Sequence, residues 1–151
     1  MVSQDTYRSR CPISFSLETF GDKWSLLILR DIIYFGKHTF GEFLASDERI
    51  ARNILADRLT RLQATGLLTK APHPADKRRD MYRVSDSGLD VIPLLLSMAE
   101  WGSSHGHDTK APAFWLALTQ TRRDEMVSLI RQTVQAGGSI FVGDKSVIAQ
   151  L

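Results

Sequence analysis

Apolar residues recur at helical spacing along most of the chain and switch to a two-residue alternation in one short stretch. Pro12 suits the first position of a short helix running to about Phe20, and Gly21 breaks it. Asp22 then caps a helix over residues 23–34, in which Trp24, Leu27, Ile28 and Ile32 share one face. Leu26, Leu29 and Ile33 broaden that stripe, so this helix reads as deeply buried, with Gly36 ending it. Thr39-Phe40-Gly41-Glu42 has the form of a capping box and predicts a helix over residues 40–45, with Phe40, Phe43 and Leu44 facing inward. Ser46-Asp47-Glu48 reads as a turn. The next helix covers residues 50–65 and stops at Gly66. It is apolar at Ile50, Leu55, Leu59 and Leu62 and polar at Arg52, Asn53, Asp57 and Thr60.

Residues 67–71 and 81–84 read as two strands around a charged loop that holds Pro72, Pro74 and the run from Asp76 to Asp80. Ser85-Asp86 caps another helix, and Pro93 predicts a kink or break inside it. From Leu89 to Trp101 apolar residues cover almost the whole circumference. Such a helix must be buried on both sides. The second side has no evident cover in its own chain, so a symmetric partner is expected at Ile92, Leu95, Leu96, Met98, Ala99 and Trp101. Residues 102–112 read as a linker, 121–136 as a last helix and 139–142 as a short strand. The expected organisation is a domain over residues 1–105, with its dimerisation helix, followed by an extension of unassigned role over 106–151. The fold class is mainly α with a small β-hairpin (α+β).

Charge changes this picture more than composition does. The net charge is only +2, yet residues 49–83 carry nine basic side chains against Asp57, Asp76 and Asp80, a local +6. That asymmetry predicts a polyanionic partner on one part of the surface. No apolar run is long enough to span a bilayer, and residues 1–10 lack the apolar stretch of a secretory signal, so a cytoplasmic protein is expected. The single cysteine, Cys11, excludes an internal disulfide. His105, His107 and Asp108 lie in a flexible segment without a nearby cysteine, a poor metal set. No metal or other cofactor is expected. Lys23 and His38 read as plain surface residues.

The order of helices, a tight turn, a basic helix and a charged hairpin is the layout of a winged helix-turn-helix that binds double-stranded DNA. A helix fits the B-DNA major groove, where side chains at its start reach base edges. Arg52 matches guanine O6/N7, Asn53 matches adenine N6/N7, and Ala56 suits a thymine methyl. Asp57 either accepts from cytosine or orients Arg61 one turn on, the latter being the simpler role. Arg49, Arg58 and Arg61 are candidates for phosphate, and Lys77, Arg78 and Arg79 at the hairpin tip for phosphate or minor groove. Each of these charges could instead be a solvated surface group.

The sequence also resembles the HxlR-type winged helix-turn-helix regulators. The likeness rests on Cys11-Pro12-Ile13, Gly21-Asp22-Lys23-Trp24, Phe40-Gly41-Glu42-Phe43, Ile50-Ala51-Arg52-Asn53-Ile54-Leu55, Leu59-Thr60-Arg61-Leu62, Gly66-Leu67-Leu68, Tyr82-Arg83-Val84-Ser85-Asp86-Ser87-Gly88 and Glu100-Trp101-Gly102. It implies a prokaryotic, dimeric transcriptional regulator, repressor or activator, associated with the nucleoid when bound to DNA. Some relatives sense electrophiles or oxidants through the cysteine near the N-terminus, here Cys11. Arg10 and a helix start beside Cys11 would both favour a thiolate; an inert cysteine is the alternative. The family pattern usually has Ser or Thr where Ala51 stands, and beyond Trp101 the likeness says nothing. A small-molecule effector is the remaining partner this class admits. An interaction module that meets an acidic protein through the same basic face is the competing function. An enzyme is not expected, since no phosphate loop, catalytic triad or metal cluster is present in the sequence.

Overall fold

A computed structural model describes residues 7–151. The elements run α1 (Pro12–Phe20), α2 (Ser25–Phe35), α3 (Phe40–Leu44), α4 (Arg52–Ala64), β1 (Leu68–Pro72), β2 (Asp80–Val84), α5 (Asp86–Leu89), α6 (Ile92–His105), α7 (Ala113–Thr121) and α8 (Arg123–Gln135), then a 3-10 turn, Ile148–Gln150. Helix α2 is central. Its Ile28, Leu29, Ile32 and Ile33 share one core with Phe43 of α3, Leu55, Leu59 and Leu62 of α4, and Ile92 and Leu96 of α6. The helix begins two residues later than the periodicity predicts. Asp22 still serves its start: one carboxylate oxygen accepts from the amides of Trp24 (2.8 Å) and Ser25 (2.9 Å). Lys23 and Trp24 are spent on the turn that brings those amides round. At the other end Gly36 has φ +67°, a left-handed conformation that costs glycine little.

The hairpin pairs antiparallel with Leu68 opposite Val84 and Pro72 opposite Asp80. The chain ahead of α3 lies along β2. The Tyr82 amide donates to the His38 carbonyl (2.8 Å), and His38 Nδ1 lies 2.9 Å from the Tyr82 carbonyl. His38 is therefore not the plain surface residue its sequence context implied; it ties the wing to the body. Ser85 caps α5 by accepting from the Gly88 amide. A Cβ at position 88 would lie 2.3 Å from the Leu67 carbonyl oxygen, so only glycine lets α5 pass this close to the wing. The break expected at Pro93 is present. α5 stops at Leu89 and α6 restarts at Ile92, with proline in the first turn, where its missing N–H costs nothing.

One side of α6 is covered within its own chain, and the other, at Leu94, Met98 and Trp101, is left exposed, as the sequence leads one to expect. Residues beyond the linker fold back, and Trp115, Met126, Ile130, Val134, Ile140 and Val147 join the core that holds α2 and α6. Residues 139–142 are not a strand. The amides of Ile140 and Phe141 donate to the carbonyls of Ile33 (2.9 Å) and Tyr34 (3.0 Å) in the last turn of α2. A helix end presents a few orphan carbonyls rather than a ladder, so these residues cap a helix instead of extending a sheet.

Candidate nucleic-acid interface

The turn between α3 and α4 is fixed from below by charge. Asp31 is only 3% exposed; it receives the Ser46 hydroxyl and the Arg30 guanidinium and lies 3.8 Å from Lys37 Nζ. Arg30 also pairs with Glu48 and holds that carboxyl below its ordinary range. Thr39 and Glu42 form the reciprocal cap expected at the start of α3. Arg49 then takes φ +57°, a left-handed conformation rare for a side-chain-bearing residue, and turns the chain into α4.

α4 has Ala51 at its N-cap in extended conformation, with no side-chain acceptor for the first-turn amides. Leu55, Leu59 and Leu62 point into the core, while Arg52, Asn53, Ala56, Asp57, Thr60 and Arg61 are exposed. The geometry therefore brings Arg52, Asn53 and Ala56 together on the open side of the helix start. Asp57 pairs with its neighbour Arg58 rather than with Arg61. Arg58 is half-buried, its Nε 3.1 Å from Asp22 Oδ1, so it ties α4 to the start of α2. Burial pushes the Asp22 carboxyl up. Hydrogen bonds from the Ser25 hydroxyl, the Trp24 and Ser25 amides and Arg58 outweigh that and bring it down to about 2.

On the wing, Lys77, Arg78 and Arg79 are all exposed. The tip is closed by the Arg79 amide donating to the Asp76 carbonyl (3.0 Å) and the His73 amide donating to the Arg79 carbonyl (2.9 Å). Arg78 Nε lies 3.2 Å from Asp76, although its side chain is 91% exposed. Lys70 faces Asp80 across the hairpin at 3.8 Å. Arg49, Arg52, Arg61, Lys77, Arg79 and Arg83 take no carboxylate partner among the described residues. Arg83 is exposed on β2 and belongs with this set by position; the outward half of the strand alternation was the signal for it.

The residues expected at a subunit contact divide in two. Ile92, Leu95 and Leu96 are consumed by the chain's own core, and Ala99 is half-buried. Met98 and Trp101 stay exposed, the latter by 66%, with Leu94 beside them and His105 stacked on Trp101 at 4.4 Å. Helix α1 buries none of its residues and leaves Ile13, Phe15 and Leu17 in solvent. The sequence reads over residues 12–20 only as a short helix, and these three are not singled out there. An open groove lined by Phe15, Phe20, Leu67, Val91 and Leu94 runs between α1 and α6. Cys11 is exposed at the N-cap of α1, its side chain not engaged as the cap.

A capped helix, a braced turn, a basic helix with an open face and a hairpin seated beside it define a winged helix-turn-helix. A family model described as HxlR-like helix-turn-helix matches residues 19–110, and the chain belongs to that family. It is similar to the uncharacterized HTH-type transcriptional regulator Rv3095 of Mycobacterium tuberculosis, 36% identical over 90 residues. That match spans 60% of this chain and 56% of the mycobacterial protein, so the chain covers little more than half of that relative. It is also similar to the HTH-type regulator YybR of Bacillus subtilis, 30% identical, with 63% of this chain and 75% of that protein covered. These relatives are named as transcriptional regulators, not enzymes. Among solved structures, PA1607 superposes with a TM-score of 0.62 at 34% identity, over 70% of this chain and 73% of that one. The redox regulator HypR in its oxidized form superposes with a TM-score of 0.57 at 26% identity, over 66% of this chain and all of that one. No helix among the described residues is long and apolar enough to cross a membrane.

Proposed function

We propose that this chain is a homodimeric transcriptional regulator that lays α4 in the major groove of double-stranded DNA and grips flanking backbone with the wing. The observation that carries this reading is the set of unpartnered cations on one helix face and one hairpin. A guanidinium already neutralised by a carboxylate gains little from phosphate; a free one releases the counterions condensed on DNA. Arg52 and Asn53 read bases, with Ala56 beside them, and Arg49, Arg61, Lys77 and Arg79 hold phosphates. Fluorescence anisotropy on genomic promoter fragments tests this. The logarithm of affinity should fall with the logarithm of salt concentration with a slope of about −0.9 for each phosphate neutralised, hence roughly −7 for these four cations on each of the two subunits. A slope near zero would exclude the reading.

The second copy packs on α1 and on the exposed side of α6. Ile13, Phe15, Leu17, Leu94, Met98 and Trp101 are all exposed, and Phe15 of α1 and Leu94 of α6 line the same groove; exposed apolar surface of this kind marks contact sites. A Phe15→Glu, Trp101→Glu variant should run as a monomer by light scattering and lose the tight binding of paired half-sites; a dimer that survives both changes places the interface elsewhere. Cys11, at the head of α1, is the candidate control point. Oxidation joins two Cys11 thiols, or one Cys11 and a small thiol, in a disulfide while the oxidant, diamide for instance, takes up both hydrogens. Wild type and Cys11→Ser that respond alike to diamide in DNA binding would remove Cys11 from the mechanism.

A further inference from the structure

α8 lies across the joint between the DNA-reading head and α6, and its polar contacts fall on both sides of that joint. On the α6 side, Arg123 reaches Glu100 (3.1 Å), the Pro93 carbonyl (2.8 Å) and the Ser97 hydroxyl. On the α5 side, Arg131 reaches Asp90 (2.8 Å) and the Asp86 carbonyl (2.9 Å), and Gln135 donates to the Asp86 carboxylate (3.2 Å). The joint itself is Asp90 and Val91, between the four-residue helix α5 and α6. So short a helix leaves its carbonyls without intrahelical donors, and Arg131 supplies one to Asp86. Met126 and Ile130 anchor the inner face of α8 at 0% exposure. The segment is tied at its far end too, where Ile140 and Phe141 cap α2 and Trp115 packs edge-on against Phe141. All of it lies beyond residue 110, where the family match ends.

We propose that residues 113–148 are a brace that fixes the angle between the head and the subunit-contact helix, with Arg123 and Arg131 as positioning residues, and that the brace thereby sets the spacing of the two DNA half-sites. The inference rests on the two-headed DNA-binding reading above. Leverage makes it consequential. α6 has 14 residues and is about 21 Å long at about 1.5 Å per residue. A tilt of about 10° at the joint moves its far end by roughly 4 Å, close to one nucleotide step of about 3.4 Å along a strand. Loss of the brace should therefore blur the preferred spacing before it abolishes binding.

The test selects DNA from a library of paired half-sites with varied spacers, using the full chain as wild type, as Arg123→Ala/Arg131→Ala and as Ile32→Val. The last loosens the same core from α2, outside the brace. Wild type should prefer one spacer over its neighbours by about tenfold, the double variant by less than about threefold, and Ile32→Val should behave as wild type. Light scattering should show all three as dimers. A double variant with unaltered preference overturns the brace, as does equal blurring by Ile32→Val, which would mark a general loss of stability. A wild type that binds single half-sites as a monomer overturns the two-headed reading and this inference with it.

Discussion

Arg52, Arg61 and Arg79 stand exposed on α4 and the wing with no carboxylate partner among the described residues, whereas Arg30, Arg123 and Arg131 each end on one. The two regions carry the same chemical group for different ends. Behind the interface the guanidiniums are folded into networks that also collect a hydroxyl or a backbone carbonyl, as Arg123 does with Ser97 and Pro93. Their charge is compensated and their geometry fixed, so they locate helices. On the front the charges are left in water, where an uncompensated cation costs little until an anion displaces the solvent. A count of basic residues cannot separate these uses; the pairing does.

The sharpest way to break the comparison is Arg52→Ala. Arg52 is exposed at the helix start, so its loss should leave folding unchanged. Binding to the preferred operator should weaken by about 1–3 kcal/mol, with little change on unrelated sequence, if it reads a guanine. Binding measured on a set of operators mutated one base at a time checks this: a loss that is the same for every sequence would move Arg52 from base reading to backbone contact. Next in size is the pair Lys77→Ala and Arg79→Ala on the wing. Both are exposed and take no carboxylate partner among the described residues, so affinity should fall on all sequences alike, and the salt slope should become shallower by about 0.9 for each cation removed. An unchanged slope would take the wing out of the interface.

Much of this division was legible before any coordinates. Local rules sufficed for the Thr39–Glu42 cap, the break ahead of Pro93, the two strands of the hairpin and the exposed start of the basic helix, because each depends on residues within a few positions of one another. What was not legible is long-range. Nothing near Arg58 in sequence says that Asp22, 36 residues away, will pair with it. Nothing near His38 says that β2 will run beside it. Nothing near α6 says which residues will cover its inner face: Trp115, Met126 and Ile130 from beyond the linker join the core that holds Ile92 and Leu96, while the stripe of Leu94, Met98 and Trp101, for which a partner was expected, stays exposed. Ile13, Phe15 and Leu17 went unmarked because a helix that buries nothing in its own chain has the same pattern as one that does.

Arg58→Ala sharpens the boundary between the two classes, since this residue sits on α4 yet is paired as Arg30, Arg123 and Arg131 are. Its side chain is 19% exposed and joins α4 to Asp22. Removal should lower stability to urea by about 1 kcal/mol, within the range for a partly buried charged hydrogen bond. The salt slope of DNA binding should not move. A reduced slope with unaltered stability would return Arg58 to the phosphate set.

The smallest effect concerns the other half of that pair and is visible only in acid. The Asp22 carboxyl sits at about 2 when folded against an ordinary value of 3.8, so the native state favours its ionised form. Its contribution to stability is therefore complete above about pH 4 and lost as the pH falls through the folded value. Asp22→Asn keeps an oxygen for the Trp24 and Ser25 amides but loses the charge that holds Arg58 and the second acceptor used by the Ser25 hydroxyl. Wild type should melt above the variant at pH 7, and the two melting temperatures should converge between about pH 4 and pH 2. Other carboxylates titrate in the same window, but they do so in both proteins, so the difference between the curves isolates this one. Parallel curves across that window would show that the α2–α4 tie depends on the hydrogen bonds alone, and that its charge, unlike the charges on the open face of α4, does no separate work.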